Sequence, residues 1–299
     1  MSKRAFVTGS TGAIGFYLAQ ELIGEGRHVD FLIRKSSDVS GLKKIAPRAG
    51  FFVYDGSLPS LQKALAASKP EVVFHLAAVG PTEHKPEEIG PMIQSNILLG
   101  TQLLEAMTQA RCRYLVNAGT YWQHYGGKKY NPVNLYAATK QAFEAILCFY
   151  TETTGLHALT LKLFDVYCPG DKRGKFFSQL QKAAEQGREL AMSPGRQKLY
   201  LLYAADAARA FVQAARLLEK GQKLDASYAV RPARALSLRE AVEWYQRLSR
   251  RPVKVLWGKL PYRRRQIMVP WSGKLLPGWK ASTGLEAGIR RLLNQKENA

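Results

Sequence analysis

The chemistry this sequence can perform rests on a threonine, a tyrosine and a lysine. Tyr136 and Lys140 lie in Asn134-Leu-Tyr-Ala-Ala-Thr-Lys140, and Thr120 closes Asn117-Ala-Gly-Thr120. If the residues after Asn134 are helical, Tyr136 and Lys140 share a face with about 5 to 6 Å between their Cβ atoms, which is reach for a shared proton. A phenol ionises near pH 10, so acid–base work around neutrality needs its anion stabilised by roughly 3 units, or ~4 kcal/mol. An ammonium one turn away suits that need, and the Thr120 hydroxyl can bond the same substrate oxygen. A tyrosine and a lysine four apart on an amphipathic helix also describe a solvated pair, so the reading needs a cofactor site upstream.

The first segment supplies one. The apolar run Ala5-Phe-Val leads into Thr8-Gly9-Ser-Thr-Gly12-Ala-Ile-Gly15, and Ile14, Leu18, Leu22 and Ile23 then recur at helical spacing. In this strand, turn and helix, Gly9 permits the tight turn, Gly12 lets backbone approach a pyrophosphate and Gly15 lets the helix pack on its strand. The three-and-three spacing differs from the commonest dinucleotide fingerprint. Gly9, Thr11, Gly12, Ala13, Ile14 and Gly15 are the expected cofactor contacts. A second strand over 28–33 ends in Arg34 and Lys35, where an NAD site usually has an acid; a cation there accommodates the 2′-phosphate of NADP, although a basic loop in a basic protein reads the same way.

The remaining elements must carry these groups to one edge. A third strand, Phe51-Phe-Val-Tyr-Asp55-Gly56, places Asp55 either beside the adenine or in a turn. A fourth runs from Glu71 to Ala78, with Leu76, Ala77 and Ala78 small enough to pass the ribose and His75 read as structural. Gly80–Pro86 reads as a loop over the cleft, and 87–109 as one long helix carrying Asn96. The fifth strand, 113–117, delivers Thr120. Asn134 caps the next helix, whose inner stripe is Phe143, Ile146, Leu147 and Tyr150. A sixth strand spans 159–164. Six strands alternating with helices predict an α/β, doubly wound parallel Rossmann sheet over 1–165, with a smaller substrate-binding lobe over 166–299 that returns to the sheet at about 197–225.

Composition bounds the rest. The 299 residues are 46% apolar, enough for a sizeable core. No run reaches the length of a membrane span and no signal-type segment opens the chain, so a cytoplasmic protein is expected. Cys112, Cys148 and Cys168 lack metal-ligand spacing and read as reduced packing residues; no metal is expected. Forty-four basic against 23 acidic side chains give a formal charge of +21, a field that attracts polyanions. The charge is scattered, with denser groups at 172–175, 247–251 and 263–265, which favours anionic small molecules over a dedicated nucleic-acid groove.

With these motifs placed, the chain resembles an extended short-chain dehydrogenase/reductase of the nucleotide-sugar epimerase/dehydratase family. Further matches are His75-Leu-Ala-Ala, Asn96-Ile-Leu-Leu-Gly-Thr, Leu163-Phe-Asp-Val-Tyr-Cys-Pro-Gly and Leu276-Pro-Gly-Trp. The block from Asn117 to Tyr125 and that from Tyr130 to Gln141 look most like the CDP-abequose and CDP-paratose synthase branch, NADPH-dependent 4-ketosugar reductases. The resemblance implies Thr120, Tyr136 and Lys140 as the catalytic triad, and NADP bound by the glycine loop, Asn96, Tyr136 and Lys140. It also implies a CDP-linked sugar against Thr120, Trp122, Asp165, Arg196, Lys198 and Arg263, and a homodimer through the helices of Asn96 and Tyr136, with Leu98, Leu103, Phe143 and Leu147 available for that contact.

Three departures from the family pattern stand out: Asp165 replaces the usual asparagine, no arginine follows the Gly-x-Gln loop, and Gln266 stands where an acid accompanies the arginine run. Dehydratases of this family place acids directly after the threonine, whereas Tyr121 and Trp122 follow here. Arg34 suits an exchanging NADP rather than the retained NAD of an epimerase. The sequence therefore predicts reduction at C4, with an epimerase, or a non-enzymatic NADP-sensing or RNA-binding relative, as rivals. Trp122, His124 and His84 are further candidates for contact with sugar or base, and the arginine run reads equally as a diphosphate site or a solvated patch.

Overall fold

The computed structural model describes residues 3–171 and 173–294; Lys172, one of the basic group at 172–175, lies outside them. Seven parallel strands form the central sheet: β1 (Arg4–Thr8), β2 (His28–Ile33), β3 (Phe51–Val53), β4 (Val72–His75), β5 (Tyr114–Thr120), β6 (His157–Leu163) and a strand at Ser227–Val230. From edge to edge the order is that last strand, β6, β5, β4, β1, β2, β3. The order reverses direction between β1 and β4, and the glycine loop and Thr120, Tyr136 and Lys140 lie at the carboxyl edge around that point. The doubly wound sheet is thus as expected, with one strand more. Ser-Tyr-Ala-Val is too short to carry a period of its own, and only pairing with β6 makes it a strand.

Helices cover both faces. On one face α1 (Ala13–Gly24), with the short α2 (Ser40–Ile45) beside it, packs against the helix Ala204–Glu219, joined by Arg27, whose guanidinium donates to both Glu219 oxygens at 2.7 and 3.1 Å. Their apolar stripes meet β1, β4 and β6 in the larger core. On the other face α3 (Leu58–Ser68), α5 (Leu99–Gln109) and α6 (Leu135–Thr153) bury Leu61, Leu103, Phe143 and Leu147. The expected helix over 87–109 is present from α4 (Ile89–Ile93) through α5, with a π turn at Gln94–Leu98 set between them. The widened turn brings the Asn96 side chain inward, where it accepts from the Val79 amide, donates to the Val79 carbonyl and bonds Thr139 Oγ1, all within 2.9 Å.

Beyond β6 the chain forms a third, smaller core from α7 (Phe176–Gln186), the helix Leu238–Ser249 and the helix Leu285–Asn294. Three short strand pairs border it. The tail is tied to the sheet at Asp206, which is fully buried and accepts from the Ser282 and Thr283 amides at 2.9 Å and from Arg209. Among the described residues, no helix is long and apolar enough to cross a membrane.

Candidate active site

A cleft of about 1460 Å³ opens at the carboxyl edge of the sheet, between the sheet and the smaller core. A single drug-sized ligand occupies roughly 300–1,000 Å³, so the space suits a dinucleotide and a second nucleotide-sized molecule together. Gly9, Thr11, Gly12, Ala13, Ile14 and Gly15 line one end. Gly9 has φ +72°, and a Cβ on it would stand 2.6 Å from the Ala77 nitrogen. A Cβ on Gly15 would fall 2.6 Å from Ser10 Cα, which is why the helix can start this close to its strand. The Thr8 hydroxyl accepts from the Leu76 and Ala77 amides at 3.2 and 3.1 Å and meets His75 Nδ1 at 2.9 Å, locking the exits of β1 and β4 together. Burial, and then the nearby Lys140 charge, drive the His75 pKa down to about 3, so the ring is neutral and structural.

Arg34, Asp55, Gly56, Leu76, Ala77 and Ala78 line the cleft as well; Lys35 does not. Asp55 serves a turn, its carboxylate accepting from the Ser57 amide at 2.9 Å and hydroxyl at 2.6 Å. Asn96 lies behind the cleft wall and acts on it through Val79. The open groove, the glycine approach and the unpartnered Lys140 ammonium within it fit a dinucleotide.

Thr120, Tyr136 and Lys140 all face this cleft. Thr120 ends β5, three residues past the expected end of that strand, and is fixed from behind: its amide donates to Gln123 Oε1 at 2.9 Å and its hydroxyl accepts from the Trp122 amide at 3.3 Å. Asn134 Oδ1 caps α6 by accepting from the Ala137 amide at 3.0 Å, while its Nδ2 donates to the Thr82 carbonyl at 2.7 Å. One side chain therefore starts the helix and ties down the loop opposite it. Burial pushes the Tyr136 phenol up to about 12, and the cation that draws it back is Arg173, not Lys140 as helical spacing alone suggested. Burial lowers Lys140 to about 8, with Glu144 opposing that shift and Lys162 adding to it; the Nζ atom is buried and without a hydrogen-bond partner.

The other end of the cleft is lined by Tyr121, Trp122, Asp165, Arg173, Lys175, Arg263 and Arg265. The Tyr121 ring stacks on Phe164 with centroids 4.5 Å apart, and its hydroxyl donates to Asp165 at 3.2 Å. Burial raises the Asp165 carboxyl to about 6, against the pull of Lys175 and Arg263. Arg263 lies over Trp122, 5.8 Å from the ring centroid. Arg265 lies over Tyr125 and donates to Asn131 Oδ1 at 2.5 Å, so much of the arginine run is engaged by the protein. Arg196 and Lys198 do not line the cleft. The Arg196 backbone amide donates to the Tyr262 hydroxyl, and Lys198, on a short strand paired with Leu236–Ser237, is held by Glu240 at 3.4 Å. His84 and His124 are likewise outside it; His124 stacks on Trp271 at 4.1 Å. Arg173 and Lys175 are cleft cations that the sequence reading placed only in a basic group. Their signal was position, in Gly-Asp-Lys-Arg-Gly-Lys just past the carboxyl end of the sixth strand.

A glycine loop, a switch-point cleft and a Thr-Tyr-Lys set on one wall define a dinucleotide-dependent enzyme of the short-chain dehydrogenase type. A family model described as "NAD dependent epimerase/dehydratase family" matches residues 5–228, and the chain belongs to that family. It is 23% identical to the CDP-abequose synthase of Salmonella muenchen, over 99% of both chains, and 28% identical to that of Yersinia pseudotuberculosis, over 68% of this chain and 70% of that one. Among solved structures it resembles the UDP-glucose 4-epimerase of Thermus thermophilus, solved with NAD, with a TM-score of 0.81, 24% identity and 99% of both chains covered. The UDP-glucose 4-epimerase of Thermotoga maritima, solved with UDP-glucose, gives 0.85 at 20% identity over 98% of both chains. At these identities the structures establish the fold.

Proposed function

We propose that the protein is an NADPH-dependent reductase of a nucleotide-linked 4-keto-deoxysugar, most simply a CDP-linked one. The observation that carries this reading is the convergence of Thr120, Tyr136 and Lys140 on one cleft wall beside the glycine loop, with Arg34 at the far end. The bound dinucleotide would lie along Gly9–Gly15, Arg34, Asp55 and Ala77, and supplies the hydride. Tyr136 donates the proton to the forming alkoxide; a phenol raised to about 12 is fully protonated at neutral pH, the form that reduction consumes. Thr120 holds the same oxygen and Lys140 meets the ribose. Neither Tyr121 nor Trp122 is an acid, so the extra acid–base pair that elimination of water needs is missing from that position. Arg263 and Lys175 face the end of the cleft where a diphosphate would lie.

The full-length match to a CDP-abequose synthase supports this reading, whereas relatives and solved structures named as epimerases favour a second, C4 epimerisation with a retained cofactor. A panel of nucleotide-linked ketosugars, followed by absorbance of both reduced dinucleotides, separates the two. Net consumption of NADPH supports reduction, and interconversion of C4 epimers without consumption overturns it. Tyr136→Phe should lower turnover by roughly 10²- to 10⁴-fold while leaving dinucleotide binding nearly intact.

A cytoplasmic homodimer completes the proposal. Of the four apolar residues expected at its contact, Leu103, Phe143 and Leu147 lie in the core; Leu98, Ile89, Ile93 and Phe149 are the exposed ones on these helices.

A further inference from the structure

Directly beneath the triad lies a buried ion pair that none of this chemistry has used. Lys162, on β6 and 1% exposed, donates to both oxygens of Glu144 at 2.7 and 2.6 Å. Glu144 stands on α6 one turn beyond Lys140. Its Oε1 also accepts from Gln123 Nε2 at 2.9 Å, and Gln123, with no exposed surface, accepts from the Thr120 amide through its own oxygen at 2.9 Å. The pair crosses the Gly119 backbone so closely that a Cβ there would stand 3.0 Å from both Glu144 Oε1 and Lys162 Cδ. Burying the Lys162 charge, with Glu144 only partly open to solvent, is expensive because the ammonium loses its hydration, and hydrophobic residues of similar volume could fill the space at little cost. A place where both charges act on a third makes sense of it.

We infer that the Glu144–Lys162 pair, joined to Thr120 through Gln123, is the positioning unit that fixes the threonine and sets the electrostatic surroundings of the Lys140 amine, Glu144 favouring its charged form and Lys162 opposing it. The inference rests on the reading of Lys140 as a cofactor contact, but not on the reaction that follows. The titratable groups facing Lys140 are Glu144 on its own helix, Lys162 from β6 and His75 from β4, which is neutral. His124, from the loop after β5, faces the pair itself. Glu144 raises the proton affinity of Lys140, Lys162 lowers it, and burial lowers it most, so the balance leaves the amine close to its titration near neutrality. Removing the anion must make Lys140 lose its proton at lower pH, and removing the cation must do the reverse. A merely structural brace would move neither.

The test is the pH dependence of NADPH binding by the whole protein, read by nicotinamide fluorescence between about pH 6 and 10. Wild type should lose affinity on a basic limb that Lys140→Met lacks. In Glu144→Gln the limb should move down by about one to two pH units, and in Lys162→Met up by a similar amount. The double variant Glu144→Gln/Lys162→Met leaves no buried charge behind and keeps the test available if a single variant fails to fold; its limb should return towards that of wild type. Limbs that stay put in the folded variants, or a wild-type limb that survives Lys140→Met, overturn the inference. Normal limbs without ketosugar turnover would instead sink only the reduction, and a wild type that binds no NADPH at all sinks both.

Discussion

Tyr136 lies flat against Gly80: a Cβ on that glycine would stand 2.6 Å from Cδ2 of the ring and 2.7 Å from Cε2. Gly80 belongs to the loop that Asn134 ties to the start of α6, so loop and phenol are positioned by the same turn. Gly80→Ala should push the ring off its place and lower turnover by ~10²-fold, since a displacement of about 1 Å at a reacting group has that effect. The loop is partly exposed and can shift, so thermal unfolding should change by only a few degrees. A variant with wild-type turnover would show that the ring's position against Gly80 is irrelevant to the chemistry.

Arg34 is exposed at the rim of the cleft just past β2, and no carboxylate shares that strand end. Arg34→Glu should reverse the cofactor preference. Affinity for NADPH relative to NADH should fall ten- to hundredfold, the worth of a charge-assisted bond of ~1.5–3 kcal/mol. Fluorescence titration with the two reduced dinucleotides measures it; an unchanged ratio removes Arg34 from the 2′-phosphate.

Asp165 holds its proton to about pH 6 in the fold, chiefly because of burial, whereas an unfolded chain releases it near 3.8. A raised carboxyl pKa means that the native state binds the extra proton between those values. Stability is therefore lost as pH rises from about 4 to 6 and stays lower above. Asp165→Asn removes that loss. It should be more stable than wild type at pH 7 by about 1–3 kcal/mol and equal to it near pH 3.5, by urea unfolding at the two pH values. A less stable variant at pH 7 would mean that the attraction of Lys175 and Arg263 outweighs burial.

Asp206 behaves oppositely. Burial acts to raise its carboxyl, but the amides and hydroxyls of Ser282 and Thr283 outweigh it and hold the group below the usual range. Its contribution is present above pH 4 and is lost as pH falls through the native value. Asp206→Ala should cost about 2–4 kcal/mol at pH 7, less near pH 3, and should free the tail first. Limited proteolysis cutting near Trp279 before the sheet opens would report that order, since the indole Nε1 donates to the Asp206 carbonyl at 3.1 Å.

Legibility followed locality. The glycine turn and the Asn134 cap are written in short runs of residues whose conformations are set by their neighbours in the chain, and the structure places them where the sequence does. The strand at Ser227–Val230 and the π turn at Asn96 were not readable that way. The first exists only by pairing with β6, and the second is fixed by Val79 and Thr139, 17 and 43 residues away. The missing family arginine after the Gly-x-Gln loop makes Arg196 and Lys198 the candidate phosphate contacts, yet neither lines the cleft, and Lys198 pairs with Glu240, 42 residues away.

The sequence by itself determined a nucleotide-binding parallel sheet and the three residue types able to move a proton, because glycine, tyrosine, threonine and lysine carry their conformational and acid–base properties wherever they stand. Only the tertiary structure decided which charges act on them. Arg173 faces the phenol, and Glu144 and Lys162 face the lysine, because electrostatic energies depend on distance and burial in space, and residues 18 apart in the chain meet at 2.6 Å only once α6 has packed on β6.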